Sequence, residues 1–363
     1  METMTTSTPK TNIQNFDHNR ETWENPIGLD GTEFLEFAAP DPDEMERLFY
    51  RLGFKMIAKH KSKNVFLYRQ GKVQFILNKE PGSFAQKFYE SHGPSICAAG
   101  FRVKDAKHAF NESVKRGAKP CTDEQSHSFA TVYGIGDSAV YFVDKYEKLN
   151  SYSEDFMFFE NEPKADGFGF KYIDHMTNNV PKGEMKTWCD FYEGIFNFKE
   201  VRFFDIKGQK TGLNSKVMKS PCQKIVIPIN EPTEGKSQIQ EYLDEYHGSG
   251  IQHVALATDD IIETVRQMKK QGIEFLDTPD SYYDMINERV PNVTEDIEVL
   301  RELKILVDGD DEGYLLQIFT KNLIGPIFFE VIQRKNHYGF GEGNFQALFD
   351  AIERDQKARG YLD

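Results

Sequence analysis

The chain of 363 residues is long enough for about two domains of roughly 100–200 residues each, so it buries a large core without needing staples. Its 44 Lys and Arg against 58 Asp and Glu give a net charge of −14, which excludes a general affinity for nucleic acid or an anionic membrane surface. The four cysteines (Cys97, Cys121, Cys189, Cys222) lack CxxC spacing and are too few for a disulfide framework, which fits a reducing cytoplasm and a small-molecule or protein partner.

Residues 1–22 are polar and aperiodic and read as a mobile tail; no apolar leader and no membrane-length apolar run follow. Phe34–Ala38 then predicts a strand. Asp41-Pro42-Asp43-Glu44 opens a helix whose Met45, Leu48, Phe49 and Leu52 recur with helical period, and Gly53 stops it. The same order returns at Tyr172–Met176, followed by a helix carrying Met185, Trp188, Phe191 and Ile195, with Gly194 near its end. A second unit repeats more strictly. One constant shift along the chain superposes Ala98 on His253, Asp105 on Asp260 and Gly117 on Gly272, aligning strand, helix start and helix stop without a gap.

Further β-branched and aromatic runs at Asn64–Tyr68, Val73–Leu77, Ala139–Val143, Val201–Ile206, Lys224–Pro228, Leu303–Val307 and Tyr314–Phe319 predict strands. The fold class is α+β, built of two homologous halves with several curved sheets. Residues 23–160 form the first half and 161–343 the second, joined through the polar Asn161–Gly167 stretch; residues 344–363 carry a last helix, N-capped by Asn344, with Phe345, Leu348, Phe349 and Ile352 on one face.

The repeat turns the two halves into a chemical comparison. His175 falls opposite Phe37, His253 opposite Ala98, and Glu330 opposite Phe142 in the matching final strand. A carboxylate flanked by apolar residues along a strand needs a cation or a partner, because burying a lone charge costs several kcal/mol. Two histidines and one carboxylate on three strands match the facial triad of non-haem Fe(II) oxygenases, whereas zinc favours a closed fourth ligand or a single water. The other histidines, His18, His60, His92, His108, His127, His247 and His337, have no repeat-related carboxylate and read as structural.

The segments Tyr172–Val180, Pro228–Pro232, Gly250–Ala255, Ile305–Asp310, Gly313–Thr320, Phe328–Arg334 and Gly339–Phe345 together resemble those of the 4-hydroxyphenylpyruvate dioxygenase family over about residues 25–358. The resemblance implies the vicinal oxygen chelate fold of paired βαβββ modules, with a metal-free N-terminal half, a catalytic C-terminal half and a C-terminal lid helix. It implies one Fe(II) per chain at His175, His253 and Glu330, with O2 as co-substrate. The substrate 4-hydroxyphenylpyruvate carries its own 2-oxo acid, so no separate 2-oxoglutarate is needed. Oxidative decarboxylation, ring hydroxylation and side-chain migration then give homogentisate and CO2 in tyrosine catabolism. Carried over motif by motif, Ser215, Asn230 and Gln238 orient the substrate, and Gln252, Gln317 and Asn344 form a catalytic polar set around the iron and the gate. Phe319, Phe328, Phe340 and Phe345 wall the ring. The resemblance also implies a homodimer or homotetramer.

Two alternatives share the fold: 4-hydroxymandelate synthase, which hydroxylates the benzylic carbon, and a metal-free binding protein. The Gly339–Gly343 run lacks G-x-G-x-x-G spacing and a βαβ unit, and no Gly-x-Ser-x-Gly elbow is present, so dinucleotide binding and serine hydrolysis have no support.

Overall fold

Alternating apolar runs pair into two eight-stranded curled sheets, seen in a computed structural model that describes residues 23–123, 129–146, 152–160, 164–207, 211–345, 347, 352–353, 356–357 and 359–361. The tail at 1–22, together with His18, His127, Leu348 and Phe349, lies outside the described residues. The first sheet holds β1 (Leu29–Ala38), β2 (Lys55–His60), β3 (Val65–Gln70), β4 (Val73–Asn78), β5 (Ser95–Val103), β6 (Thr131–Tyr133), β7 (Ala139–Val143) and β8 (Phe156–Phe158). Its order is β6-β7-β5-β1-β4-β3-β2-β8. The second holds β9 (Phe170–Asn179), β10 (Lys199–Lys207), β11 (Gly212–Lys219), β12 (Val226–Pro232), β13 (Gly250–Thr258), β14 (Leu306–Gly309), β15 (Tyr314–Phe319) and β16 (Phe328–Lys335). Its order is β10-β11-β12-β9-β13-β16-β15-β14.

Helices cover the sheets: α1 (Pro42–Arg51), α2 (Phe84–His92) and α3 (Ala106–Lys115) on the first, and α4 (Met185–Phe196), α5 (Gln238–Tyr246), α6 (Ile261–Lys270), α7 (Ser281–Asp284), α8 (Ile286–Arg289) and α9 (Ile297–Leu303) in the second half. The repeat holds at the level of caps. Asp105 accepts from the His108 N–H at the start of α3, and Asp260 accepts from the Glu263 N–H at the start of α6. Gly117 (φ 107°) and Gly272 (φ 77°) follow the two helices in backbone that glycine adopts without strain.

Several expectations are refined. Leu303–Val307 is the end of α9 followed by β14, because Lys304 turns left-handed (φ 65°) and breaks the run. Gly194 stands in the last turn of α4, as expected, and Asn197 (φ 59°) stops the helix, but the buried face of α4 is Met185, Cys189, Tyr192, Ile195 and Phe196, with Trp188 and Phe191 only partly covered. Asn344 closes a 3₁₀ turn, Glu342–Asn344, and directly precedes helical Phe345, as expected, while its side-chain oxygen accepts from Tyr282 and Arg289. α2 and α5 form as well, each capped by a serine (Ser83, Ser237), and the Ile239, Tyr242, Leu243 and Tyr246 face of α5 has helical period although no helix is predicted there.

A further correction concerns register. Gly100 pairs with both Phe34 and Tyr141, as Ala255 pairs with both His175 and Glu330. The residues equivalent to the candidate ligands are therefore Phe34, Ala98 and Tyr141, not Phe37, Ala98 and Phe142. Phe34 and Tyr141 fill that place with aromatic rings 5.5 Å apart, and a Cβ at Gly100 would come within 2.6 Å of the Phe34 ring. This half thus holds a packed aromatic core where the other half gathers its ligands. Phe34→Ala should destabilise the protein by about 3–5 kcal/mol, the usual cost of emptying a buried Phe site, without altering metal affinity; denaturant unfolding with and without metal checks both.

Candidate metal centre and substrate cavity

His175 lies on β9, His253 on β13 and Glu330 on β16, three neighbouring strands. Their register sets Ala255 against His175 on one side and Glu330 on the other, so the three side chains converge inside the curl. Glu330 Oε2 lies 3.2 Å from His175 Nε2 and 3.6 Å from His253 Nε2. All three residues are buried, and one ligand atom from each lies within 4.8 Å of the others.

β-Bulges explain how each histidine reaches its neighbour. The pairing of β9 with β13 skips Asp174 and again skips Gln252, the residues just before the two histidines. Adjacent side chains thus meet instead of pointing to opposite faces. Asp174 Oδ2 lies 2.9 Å from His175 Nδ1, and Gln252 Oε1 lies 3.3 Å from His253 Nδ1. Both acceptors favour the proton on Nδ1, leaving each Nε2 lone pair for a metal.

The electrostatics fit a cation. Burial pulls His175 down, but Glu330 and Asp174 overcome it and push the imidazole up to about 9. Burial, followed by the neighbouring His175, keeps His253 well below its ordinary value. The carboxylates thus favour positive charge at His175, where a divalent ion would supply it. Burial would raise the Asp174 carboxyl, yet Arg334 and His175 hold it well below the usual carboxylate range. Two imidazoles and one carboxylate facing a cavity form a set that leaves coordination positions open, as in non-haem Fe(II) sites.

The cavity in front of the trio encloses about 650 Å³ including its mouth. Ser215, Asn230, Gln238 and Gln252 are its polar wall, and Phe319, Phe328, Phe340 and Phe345 its aromatic wall. The His253 ring stacks on Phe328 with centroids 4.8 Å apart, and Phe340 meets His175 edge-on at 5.8 Å. Ser215 stands between Phe204 and Asn230 in the register, so one row across β10, β11 and β12 supplies three wall residues. Gln238 is the first residue of α5, which Ser237 caps.

Gln317 and Asn344 do not reach the cavity wall. Gln317 backs the loop carrying Phe340: a Cβ at Gly341 would come within 2.1 Å of Gln317 Oε1, which is buried without a hydrogen-bond partner. Asn344 Oδ1 accepts from Tyr282 Oη at 2.6 Å and Arg289 Nη2 at 3.3 Å, while its amide nitrogen is buried without a partner. Conversely, Thr177, Phe204, Ile206, Leu213 and Val217 line the cavity without having been singled out. Their only trace in the sequence is the alternation His175/Thr177, Phe204/Ile206 and Leu213/Ser215/Val217, which puts every second strand residue on one face without separating a cavity wall from a core. The described histidines outside the trio do structural work: His60 Nδ1 accepts from two backbone N–H groups, His92 and His108 meet backbone carbonyls, His247 turns left-handed after α5, and His337 Nδ1 accepts from Gly339.

A family model described as hydroxyphenylpyruvate dioxygenase, N-terminal, matches residues 23–157, and one for the glyoxalase/bleomycin resistance protein/dioxygenase superfamily matches residues 172–287. The chain is 50% identical over 351 residues to Hemolysin VllY of Vibrio vulnificus, covering 93% of this chain and 98% of that protein. It is also 50% identical over 343 residues to the 4-hydroxyphenylpyruvate dioxygenase of Legionella pneumophila, again covering 93% of this chain and 98% of the relative. Among solved structures, a triple variant of 4-hydroxymandelate synthase from Streptomyces coelicolor superposes with a TM-score of 0.79 at 28% identity, covering 90% of this chain and 99% of that one. With the repeated fold, the buried trio and near-complete coverage of a named dioxygenase at 50% identity, the chain belongs to the 4-hydroxyphenylpyruvate dioxygenase family.

Proposed function

We propose that this chain converts 4-hydroxyphenylpyruvate and O2 to homogentisate and CO2, with one Fe(II) held by His175, His253 and Glu330. The observation that carries the reading is the buried trio at the floor of an aromatic-walled cavity, in a chain half identical to a named dioxygenase. When bound, Fe(II) supplies the chelation of the 2-oxo acid and the activation of O2. The protein's own residues do the rest. Asp174 and Gln252 hold the Nδ1 protons and so present both Nε2 atoms inward. Ser215, Asn230 and Gln238 engage the polar ends of the substrate, while Phe319, Phe328, Phe340 and Phe345 pack its ring and keep water out. Gln317 and Asn344 act through the Phe340 loop they support. The first half serves as a metal-free scaffold, and the last helix as a lid over the cavity mouth.

Ring hydroxylation is preferred over 4-hydroxymandelate formation because identity is 50% to the dioxygenase and 28% to the synthase. A cytoplasmic setting is supported by four free, scattered cysteines. No helix among the described residues is long and apolar enough to cross a membrane. Anaerobic loading with Fe(II), followed by aerobic incubation with 4-hydroxyphenylpyruvate and identification of the product by mass and NMR, tests the reading. Homogentisate with CO2 is expected. 4-Hydroxymandelate would keep the iron site and overturn the assigned regiochemistry, and absence of oxygen uptake would overturn the activity.

A further inference from the structure

Arg334 lies on β16, the strand that carries Glu330, and its side chain holds two things at once. Its Nε and Nη2 donate to Asp174 Oδ1 and Oδ2, both at 2.8 Å, forming a two-point clamp on the carboxylate that meets His175. Its Nη1 donates to the backbone carbonyls of Gly339 at 2.6 Å and His337 at 3.2 Å. Those carbonyls belong to the loop that delivers Phe340, whose ring lies 5.9 Å from the guanidinium and 5.8 Å from the His175 imidazole. Asp174 and Arg334 are largely buried, with side chains 9% and 15% exposed, so the clamp has little water to replace it.

The first half supplies an internal comparison. Its equivalent strand also skips one residue, Glu33, just before Phe34, and Glu33 also pairs with an arginine, Arg102. There the next residue is not a ligand, the arginine comes from β5, and the carboxylate is completed by Gln74 and Tyr152. A carboxylate–arginine pair at this bulge is therefore a property of the fold; its connection to a histidine ligand and a cavity loop is confined to the second half.

We infer that Arg334 is a positioning residue that ties the orientation of the His175 ligand to the placement of the Phe340 wall, so that metal site and ring wall are set together. The inference rests on the metal-site reading above. Co(II), followed by its visible absorption, is the probe, with three proteins compared: the unsubstituted chain, Asp174→Asn and Arg334→Lys. Lys keeps the charge opposite Asp174 but has no planar fork to span carboxylate and carbonyls.

Both variants should bind Co(II) roughly 10- to 100-fold more weakly, the usual cost of losing an outer partner of a metal-bound histidine. At saturating Co(II), Arg334→Lys should also bind 4-hydroxyphenylpyruvate about tenfold more weakly through the displaced loop. Asp174→Asn should not, because Arg334 retains the loop carbonyls. If Arg334→Lys lowers only the melting temperature and moves neither affinity, the clamp is structural, like the Glu33–Arg102 pair, and the inference falls. If the unsubstituted chain takes up no Co(II), the metal reading falls and the inference with it; equal uptake by all three overturns the inference alone. Should Arg334→Lys fail to fold, the double variant Asp174→Asn/Arg334→Gln, which leaves no unpaired charge, carries the same two readouts.

Discussion

Glu330→Ala should lower turnover by at least about three orders of magnitude, since a catalytic metal contributes several kcal/mol and each 1.36 kcal/mol is tenfold in rate. The substitution removes the only anion of the trio, and the two imidazoles alone make a poor site for a hard divalent ion. The fold should survive. Glu330 is a desolvated charge whose partner His175 can shed its proton, so no unpaired ion is left behind in the metal-free protein. A metal-dependent rise in melting temperature separates the two effects. At a free metal concentration a hundred times Kd, the unsubstituted chain gains about 2.7 kcal/mol of stability, and the variant should gain none. A Glu330→Ala protein with unchanged oxygen uptake would sink the ligand assignment.

A chain ending at Asn344 should lose catalysis far more than stability. The removed segment carries Phe345 and Ile352, both on the cavity wall, with Phe345 packed on Phe204 at 4.9 Å. Among the described residues, it is fastened to the loop before β11 and to α5. Glu353 Oε1 accepts from the Thr211 N–H at 3.2 Å and its hydroxyl at 3.1 Å, and Gln356 and Arg359 donate to Glu241 on α5. None of these contacts enters the β9–β13–β16 core that gathers the ligands. Metal binding should therefore persist, while the open mouth admits water and leaves the substrate ring loosely held. We expect kcat/KM to fall on the order of 10²-fold or more, with Co(II) affinity nearly unchanged. Full activity in the truncated chain would defeat the lid assignment, and loss of Co(II) binding would show that the segment supports the site itself.

Much of this architecture is legible in one dimension because its cues are local. Asp caps, left-handed glycines and helical period place α3 and α6 in identical frames, and β7 and β15 match their apolar runs residue for residue. The ligand trio is legible for a different reason. Glu330 stands out as a carboxylate in an apolar strand, and the repeat shows the first half without its counterparts. The cavity's second row of wall residues, Thr177, Phe204, Leu213 and Val217, carries only ordinary strand alternation and nothing that separates a wall from a core.

Register was the chief loss. Matching His175 to Phe37 and Glu330 to Phe142 counts along uninterrupted strands, but the extra residues Glu33, Cys97, Asp174 and Gln252 each interrupt a pairing. A bulge leaves no compositional mark, because it is stabilised by hydrogen bonds and packing from other strands. Asn344 stands where its chemistry as a helix cap places it, directly before helical Phe345, but the sequence does not show that Tyr282 and Arg289, remote in the chain, donate to its oxygen.

The order of residues alone thus determined the duplicated α+β plan, the candidate ligand trio and the family, since each is encoded in spacing and residue type. Tertiary structure alone decided which residues stand opposite one another, that aromatic rings occupy the first-half positions equivalent to the candidate trio, and that Arg334 joins Asp174 to the Phe340 loop. Those relations depend on contacts between segments far apart in the chain, where a one-residue slip reverses the face a side chain presents.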